Sequence, residues 1–477
     1  MKAASDWLVR SMDMLRGSTA THKAASAMDR PMAQRLKATL RRGQEALPPH
    51  VLRRLMEDLQ AASSERLSEV EAAKHAQAVM VWCSTASDAQ KQDLWLLMCE
   101  QFGPDAQHIR TVHQQLTQAQ DAAEAAQAEI ALRKALVSAR TRLLQRFSVP
   151  EGGMRFLIDM RAQLLSLPKS DKRFVALDAE LEHLFSNWFD VAFLELRKLN
   201  WDSPASLLEK LIQYEAVHDI RSWADLKNRV DSDRRCYGFF HPKLPNEPLI
   251  FVEVALVEQM SAAIAPLLDE HGARADLGKA TTAIFYSISN TQTGLRGVSF
   301  GNSLIKHVVD ALLTEFPKLR HFATLSPIPG FRQWMLQHGD ALIAQWSDKQ
   351  QTAVANALEV DVPVSAKNLL EASEALLDWD ELHVLRKALM GCAAHYLAKG
   401  MSAGRPLDPV ARFHLGNGAK VERINWAADL SPKGIKQSVG LMVNYMYDLK
   451  RLDRHRADLA QGKIPVSSVV EALCKAW

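Results

Sequence analysis

Glycine is nearly absent from the first third of this 477-residue chain, which restricts that region to structures without tight turns. Only Gly17, Gly43 and Gly103 precede residue 151, whereas seven glycines lie between Gly391 and Gly440. A glycine inside a helix costs about 1 kcal/mol relative to alanine, while turns and close backbone approaches need it. The distribution therefore predicts a helical first part and a later part with many turns.

The other residues of the first part also favour helices. Residues 105–149 contain no Gly or Pro and are rich in Ala, Gln, Leu and Arg, which predicts one long helix or two. Residues 32–46 and 51–95 have the same character. Nothing in this region resembles an active site, so we expect residues 1–185 to form an all-helical bundle that serves assembly.

Composition and charge exclude several classes of protein. Hydrophobic residues make up 47% and charged residues 24% of the chain, as in ordinary folded domains. Because 58 Lys and Arg face 55 Asp and Glu, the net charge is only +3, and a binder of duplex DNA is not expected.

The cysteines and the apolar segments indicate a compartment. The five cysteines form no CxxC pair, so neither a disulfide framework nor a zinc ribbon is expected; they are Cys83, Cys99, Cys236, Cys392 and Cys474. No apolar run approaches the roughly 20 residues of a membrane span. Asp6 and Asp13 interrupt the first residues, unlike a signal-peptide core. We expect a cytoplasmic protein without a membrane contact, and a transit peptide stays open as an alternative.

The pattern changes after about residue 187, where β-rich segments begin. Residues 249–257 and 281–289 are rich in β-branched and aromatic side chains and predict strands. Apolar residues at helical spacing between Leu304 and Phe316 predict a helix, and residues 321–325 predict another strand. The order strand, glycine loop, helix, strand over residues 281–325 predicts a mixed α/β domain that occupies residues 186–477.

The remaining part of this domain has helical and loop segments. We expect a helix over residues 369–399 and a loop over residues 400–418. Ser431 as N-cap and Pro432 at the first position predict the start of a further helix.

The glycine loop between the predicted strand and helix has two interpretations. Backbone N–H groups at a helix amino terminus can bind phosphate, and residues 296–302 lie at such a junction. The segment is neither a Walker A loop nor a GxGxxG fingerprint. Glycines at such turns also serve backbone geometry alone, so the residues by themselves leave both interpretations open.

Ser326 follows a predicted strand directly and precedes a stiff segment with two prolines, LSPIPGF. Such a segment can hold one hydroxyl group rigidly. The alternative is that Ser326 only caps the turn into a helix that begins near Phe331. No GxSxG motif is present here, so a hydrolase triad is not expected.

His414 lies in a run of turn-forming residues, within the expected loop of residues 400–418. Loops are frequent positions for functional residues, although one histidine among 16 carries little weight alone. Tyr445 and Tyr447 would ordinarily be half-buried aromatic residues of a helix.

Five segments of the chain, taken together, resemble a known family. They are AIFYSIS, TGLRGVSFGNSLIKHVV, EFPKLRHFATLSPIPGF, ARFHLGNGAKVERINW and GLMVNYMYDL. In wording, order and spacing they are similar to malonyl-CoA decarboxylases, from about Trp201 to Leu449. The resemblance implies a helical assembly domain followed by a catalytic domain similar to the acyl-CoA N-acetyltransferase fold.

The resemblance also assigns expected roles to particular residues. It places the catalytic serine at Ser326, the catalytic histidine at His414 and a supporting tyrosine at Tyr447. It places the malonyl-CoA loop at Arg296, Gly297, Val298, Ser299, Phe300, Gly301 and Asn302. This chain departs from some members by having Ser299 in place of a glutamate, and it does not keep the acetyltransferase pattern Q/R-x-x-G-x-G/A.

The implied reaction converts malonyl-CoA to acetyl-CoA and CO2 through an enolate, with no cofactor and no metal. Ser326 would orient the malonyl carboxylate, and His414, titrating near the working pH, would stabilise and protonate the enolate. The two roles are exchangeable. Expected partners are the CoA esters and copies of the same chain, as a dimer or tetramer. An acyl-CoA N-acetyltransferase and a CoA-sensing scaffold stay open as alternative functions.

Overall fold

The computed structural model describes residues 47, 49–168, 171–231, 233–298, 300 and 304–477. Its described residues form two compact units. The first comprises those of Met1–Phe189 and Gln292–Ser299, and the second those of Asp190–Thr291 and Phe300–Trp477. Residues 32–46, for which a helix is expected, lie outside the described part of the chain.

The described part of the first unit contains α-helices and no strand, as the scarcity of glycine predicts. Its helices are α1 (Pro49–Ser63), α2 (Glu69–Thr85), α3 (Asp88–Gln101), α4 (Ala106–Gln118), α5 (Ala122–Leu136), α6 (Ala139–Phe147), α7 (Gly153–Ser166) and α8 (Val175–Trp188). The expectation of one or two helices over residues 105–149 is wrong, because three helices occupy this range. Asp105, Asp121 and Ser138 each accept backbone N–H groups as N-caps, so capping side chains divide the range without Gly or Pro.

The second unit combines a sheet with helices, so the predicted fold class is confirmed. Its strands are β1 (Glu195–Leu199), β2 (Arg234–His241), β3 (Leu244–Val257), β4 (Thr282–Asn290), β5 (His321–Thr324), β6 (Ser326–Pro327), β7 (Met401–Ser402), β8 (Arg405–Pro406), β9 (Lys420–Asn425) and β10 (Met442–Met446). Its helices are α9 (Ala205–Tyr214), α10 (Trp223–Arg229), α11 (Ala265–Leu268), α12 (Leu304–Glu315), α13 (Phe331–Ile343), α14 (Asp348–Leu358), α15 (Ala366–Ala372), α16 (Val384–Lys399), α17 (Pro409–Gly416), α18 (Pro432–Ser438), α19 (Leu452–Ala460) and α20 (Ser468–Ala476).

The large sheet has the strand order β1-β2-β3-β4-β5-β10-β6, and β9 pairs with β10. Among its described strands, β4 and β5 run parallel and the other neighbours run antiparallel. The parallel pairing joins Thr282–Phe285 to His321–Thr324, while β4 continues to Asn290. The sheet therefore opens where β5 ends, and β6 and β10 supply the residues at this opening.

The strand, helix, strand unit that the apolar pattern predicts is confirmed by β4, α12 and β5. The apolar stripe of α12 is buried against the sheet, including Leu304, Val308 and Leu312. The helix that Ser431 and Pro432 predict is also confirmed, because Ser431 Oγ accepts the N–H of Gly434 at the start of α18.

Two local expectations are wrong. The range 400–418 is not a loop, because it holds the hairpin β7–β8 and the helix α17, which Asp408 caps and Pro409 begins. The range 369–399 is not one helix either, since α15, a 3₁₀ turn and α16 share it. Among the described helices, none is long and apolar enough to cross a membrane.

Candidate active site

Ser326 is the first residue of β6, at the opening of the sheet. Its backbone pairs with Val443 of β10, and the neighbouring Leu325 N–H donates to the carbonyl of Phe285. The interpretation of Ser326 as a helix cap is wrong, because α13 begins at Phe331 after Gly330. The two prolines and the strand pairing hold the Ser326 backbone on both sides. The side chain is buried, with 5% of its surface exposed.

His414 lies near the end of α17, not in a loop. Asp408 fixes the start of this helix, since its carboxylate accepts the N–H groups of Val410 and Ala411 at 2.9 and 3.0 Å. The His414 ring stacks on Tyr445 with ring centroids 4.8 Å apart. Tyr445 itself belongs to β10 and is fully buried, so its assignment to a helix is wrong, and the same holds for Tyr447 directly after this strand.

A chain of hydrogen bonds joins the three predicted catalytic residues. The Tyr447 hydroxyl lies 2.7 Å from His414 Nδ1, and His414 Nε2 lies 3.3 Å from Ser326 Oγ. Ser326 Oγ donates to Thr324 Oγ1 at 2.8 Å, and Thr324 Oγ1 also accepts the Tyr445 N–H at 3.1 Å. Because the Ser326 proton points to Thr324, His414 donates from Nε2 to Ser326 and accepts at Nδ1 from Tyr447.

This direction of donors makes His414 a neutral imidazole, and its surroundings agree. Burial lowers the pKa of His414 to about 3. No carboxylate among the described residues forms a hydrogen bond or ion pair with its ring, so nothing offsets the desolvation. The expectation that His414 titrates near the working pH is therefore wrong for the chain alone. Burial also holds the pKa of the Tyr447 hydroxyl well above its usual value.

Tyr447 separates this chain of hydrogen bonds from a cavity of about 540 Å³, which we call the Tyr447 cavity. The first turn of α12 lines it with Ile305 and Lys306, and α19 lines it with Arg456. Asn417 lies on the same wall. Its Nδ2 donates to the Phe413 carbonyl at 2.8 Å, whereas its buried Oδ1 has no hydrogen-bond partner among the described residues. The cavity lining thus combines two cationic groups, the carboxylates of Asp310 and Asp453, and one acceptor without a partner among the described residues; Arg456 pairs with Asp453.

The glycine loop is described only in part. Ser299, Gly301 and Asn302 lie outside the described residues. In the first unit, Arg161 of α7 donates to the carbonyls of Gly294 and Arg296 at 2.8 and 2.9 Å. Gly297 has φ +84°, a conformation that favours glycine.

Val298 and Phe300, the other described residues of the loop, make contacts that are common in folded proteins. Val298 is buried within the first unit. In the second unit, the carbonyl of Phe300 accepts the Val191 N–H at 3.0 Å. Close approach to the Ile158 carbonyl accounts for Gly294, just before the loop, and positive φ accounts for Gly297, so a phosphate-binding role of the loop is a matter for proposal.

Three polar residues of the site were missed from the sequence: Thr324, Asn417 and Asn444. Thr324 anchors Ser326, and Asn444 Nδ2 donates to the Thr324 carbonyl at 2.7 Å. Thr324 is two residues before Ser326 in an extended segment, and residues two apart on a strand share a face. This spacing indicates that the two side chains lie together. Asn417 and Asn444 had no such signal, since only the tertiary fold brings them to the site.

Family models match most of the chain. The model described as the malonyl-CoA decarboxylase C-terminal domain matches residues 192–477, and that of the N-terminal domain matches residues 102–189. The mitochondrial malonyl-CoA decarboxylase of Mus musculus is 37% identical over 445 residues, which cover 90% of this chain and 86% of the relative. The corresponding protein of Anser anser anser is 36% identical over 393 residues, 79% of this chain and 78% of the relative.

Solved structures give the same similarity. The malonyl-CoA decarboxylase of Cupriavidus metallidurans is 44% identical, with a TM-score of 0.71 and coverage of 88% of this chain and 98% of that chain. The malonyl-CoA decarboxylase of Agrobacterium vitis is 37% identical, with a TM-score of 0.78 and coverage of 88% and 99%.

Proposed function

Since the chain belongs to the malonyl-CoA decarboxylase family and is a carboxy-lyase, we propose that Ser326, His414 and Tyr447 carry out its reaction. The enzyme converts malonyl-CoA to acetyl-CoA and CO2. The observation that carries the proposal is the buried chain of hydrogen bonds from Tyr447 through His414 to Ser326, directly behind the Tyr447 cavity.

The chemistry defines what these residues have to supply. The bond between the malonyl carboxylate and the α-carbon breaks, and its electron pair passes into the thioester carbonyl to form an enolate. The carboxyl group leaves as CO2, and the α-carbon then takes up one proton. The protein therefore has to orient the carboxylate, stabilise the enolate oxygen and provide the proton.

We assign orientation of the malonyl carboxylate to Ser326. Its backbone is fixed by β6 and the following prolines, and its hydroxyl can turn from Thr324 toward a carboxylate oxygen. Hydrogen bonds to a charged acceptor are shorter and stronger than those between neutral groups. The exchange of Thr324 for the carboxylate is therefore favourable once the substrate lies beside Ser326.

We assign stabilisation and protonation of the enolate to His414. As a neutral ring it already presents an N–H from Nε2, and Tyr447 supports the opposite nitrogen. A thioester enolate is a strong base, so a neutral donor suffices to protonate it. As Nε2 gives its proton to the α-carbon, Nδ1 takes the proton of the Tyr447 hydroxyl, so His414 stays neutral and Tyr447 regains a proton from solvent in the adjoining cavity. The malonyl carboxylate also brings a negative charge close to the ring, which raises the pKa of His414 from its low value.

We propose that the Tyr447 cavity binds the CoA portion of the substrate and that the malonyl group extends past Tyr447 to Ser326 and His414. The cavity volume of about 540 Å³ is in the range of small-molecule sites. Lys306, in the first turn of α12 where helix N–H groups also favour anions, is the proposed contact for a phosphate, since Arg456 already pairs with Asp453. We propose that residues 296–302 bind the CoA pyrophosphate. Arg405 lies on the exposed hairpin β7–β8 and does not line this cavity.

We further propose that the reaction needs no cofactor, because the thioester itself accepts the electron pair. The five free cysteines support a reducing compartment, and cytoplasm remains our proposal, although the relatives named above are mitochondrial proteins.

Homo-oligomerisation through the helical unit is likewise a proposal. It rests on the apolar side chains that α5 and the residue after it expose, namely Ile130, Leu136 and Val137. Sedimentation of the full chain beside an Ile130→Glu variant tests it; equal masses at the monomer value would contradict it.

The decisive assay for the activity uses malonyl-CoA without any amine acceptor. Release of equal amounts of CO2 and acetyl-CoA is expected. An N-acetyltransferase would leave malonyl-CoA intact under these conditions, and a CoA-sensing scaffold would bind it without forming product.

The Ser326→Ala variant tests the assignment to the site. We expect kcat to fall by about a hundredfold, since the carboxylate loses its fixed donor. Ser373→Ala is the matched control, because Ser373 is also buried and, among the described residues, its hydroxyl donates to the backbone carbonyl of Leu370. Equal turnover by the two variants would contradict the role of Ser326.

A further inference from the structure

A second cavity of about 670 Å³ lies in the second unit, and its wall is unusually basic. We call it the basic pocket. Six Lys or Arg residues line it against two carboxylates, and they are Lys399, Lys420, Arg451, Arg454, Lys463 and Lys475. This excess of four positive charges exceeds the net charge of +3 for the whole chain. The lining of this pocket is therefore richer in positive charge than the chain as a whole.

Three of the six cations, Lys420, Arg451 and Lys475, pair with Glu422, Asp448 and Glu471, so the excess of positive charge rests on the other three. In the described part of the chain, Lys399, Arg454 and Lys463 form no ion pair with a carboxylate. Glu471 pairs with Lys475 at 2.8 Å, and nearby Lys399 and Lys463 contribute to a lowered pKa of this carboxyl. The Glu471 carboxylate thus interacts electrostatically with Lys475, Lys399 and Lys463 together. Like charges at this density repel one another, and a multivalent anion would relieve the repulsion.

The wall of the basic pocket is also held in place. His455 is buried, and its Nδ1–H donates to the carbonyl of Gly418 at 2.9 Å. Ser467 donates to the Glu422 carbonyl at 2.6 Å and caps α20. These contacts fix α19 and the start of α20, so the backbone around the pocket needs little ordering when a ligand binds.

The basic pocket is distinct from the Tyr447 cavity. Helix α19 separates them, because Leu452, Asp453 and Arg456 line the Tyr447 cavity, whereas Arg454 and His455 line the basic pocket. The two sites share no lining residue.

From these observations we propose that the basic pocket binds a small multivalent anion, either a phosphate ester or a polycarboxylate, at the same time as the acyl-CoA site is occupied. The volume suits a ligand of mononucleotide size or smaller. Several cations around one concavity match two or more negative charges on one molecule, and they would bind chloride or acetate poorly.

Titration calorimetry of the full chain in low-salt buffer tests the proposal. Pyrophosphate and ADP are the phosphate probes, citrate is the polycarboxylate probe, and sodium chloride of equal ionic strength is the blank. We expect saturable binding of at least one probe, with one site per chain, and the same affinity when CoA is present at saturation. The probe that binds shows whether the pocket takes a phosphate ester or a polycarboxylate.

The variants distinguish this pocket from general surface charge. Lys399→Gln combined with Lys463→Gln should weaken binding by about tenfold or more, since two charge-assisted contacts are lost. Lys318→Gln, at an exposed lysine outside the pocket, should leave the affinity unchanged. Binding that CoA abolishes, binding that the double variant retains in full, or heats equal to the sodium chloride blank would each overturn the proposal.

Discussion

The second unit contains two buried polar clusters that differ in charge. In the ionic cluster, Arg229 contacts Asp225 at 2.8 Å and Glu253 at 3.2 Å, and all three are buried. In the neutral cluster, His414 contacts Ser326 and Tyr447, with no charged partner among the described residues. Asp225 and Arg229 of the ionic cluster line a cavity of about 530 Å³, and Tyr447 of the neutral cluster lines the Tyr447 cavity, so the two clusters differ in charge and not in access to a cavity.

Buried polar groups stabilise the fold in the ionic cluster, whereas in the neutral cluster they are available for the reaction. In the ionic cluster a single arginine faces several carboxylates, and burial together with the nearby Glu215 raises the pKa of Glu253 to about 8. Glu253 therefore keeps its proton at neutral pH, and the cluster stays close to balanced. In the neutral cluster no charge exists until the substrate brings one. Removing a partner should accordingly damage folding in the first case and turnover in the second.

The largest expected effect on stability is that of Arg229→Met. It leaves Asp225 buried without its cation, and breaking a buried pair in this way costs about 3–5 kcal/mol. Chemical denaturation followed by circular dichroism measures the free energy of unfolding. Arg274→Met is the control, because its pair with Asp231 is on the surface, with the arginine 64% exposed, and should contribute less than about 1 kcal/mol. If both variants lost a similar free energy of unfolding, the buried ionic cluster would stabilise the fold no more than a surface pair.

A smaller effect is expected for Tyr447→Phe, which removes the donor to His414 Nδ1. We expect kcat to fall by about tenfold with little change in KM, because the ring of His414 loses its support in the transition state. Tyr445→Phe is a matched control. Its buried hydroxyl has no hydrogen-bond partner among the described residues, and the phenyl ring preserves the stacking on His414. If Tyr445→Phe lowered kcat as much as Tyr447→Phe, the chain of hydrogen bonds would not explain the activity.

A further expected effect depends on pH and concerns Glu253. The folded pKa of Glu253 is about 8 against 4.5 for the free group, so between these values the folded state holds a proton that the unfolded state releases. Glu253 therefore lowers the free energy of unfolding as pH rises through this window, and its contribution is constant above about pH 8.

Glu253→Gln removes this dependence. Relative to the original chain, the variant should gain more than about 1 kcal/mol between pH 5 and pH 8. Denaturant titrations at several pH values measure the gain. A constant difference between the two proteins across this range would show that Glu253 ionises normally.

Much of the fold follows from local patterns in the sequence. The apolar spacing between Leu304 and Phe316 predicts α12, because a single buried stripe determines both its type and its face. The β-rich runs likewise predict β3 and β4. The helical first unit follows from composition alone, although its divisions depend on capping side chains such as Asp121, which a glycine count does not detect.

The site was harder to predict for a physical reason. Ser326, His414 and Tyr447 were selected by resemblance, and their separation along the chain gives no hint that β6, α17 and the end of β10 meet. The helix α17 has only eight residues and many turn formers, so its cap at Asp408 outweighed its composition. The low pKa of His414 is a property of its packed surroundings, and no local pattern predicts it.

Turnover of the His414→Asn variant tests the central claim most directly. Asparagine keeps a polar side chain in the same space but cannot deliver the proton to the enolate. The account predicts that kcat for CO2 release from malonyl-CoA falls by about a hundred- to ten-thousand-fold, with a smaller change in KM and an unfolding transition that remains cooperative. Near-normal turnover by this variant would contradict the account.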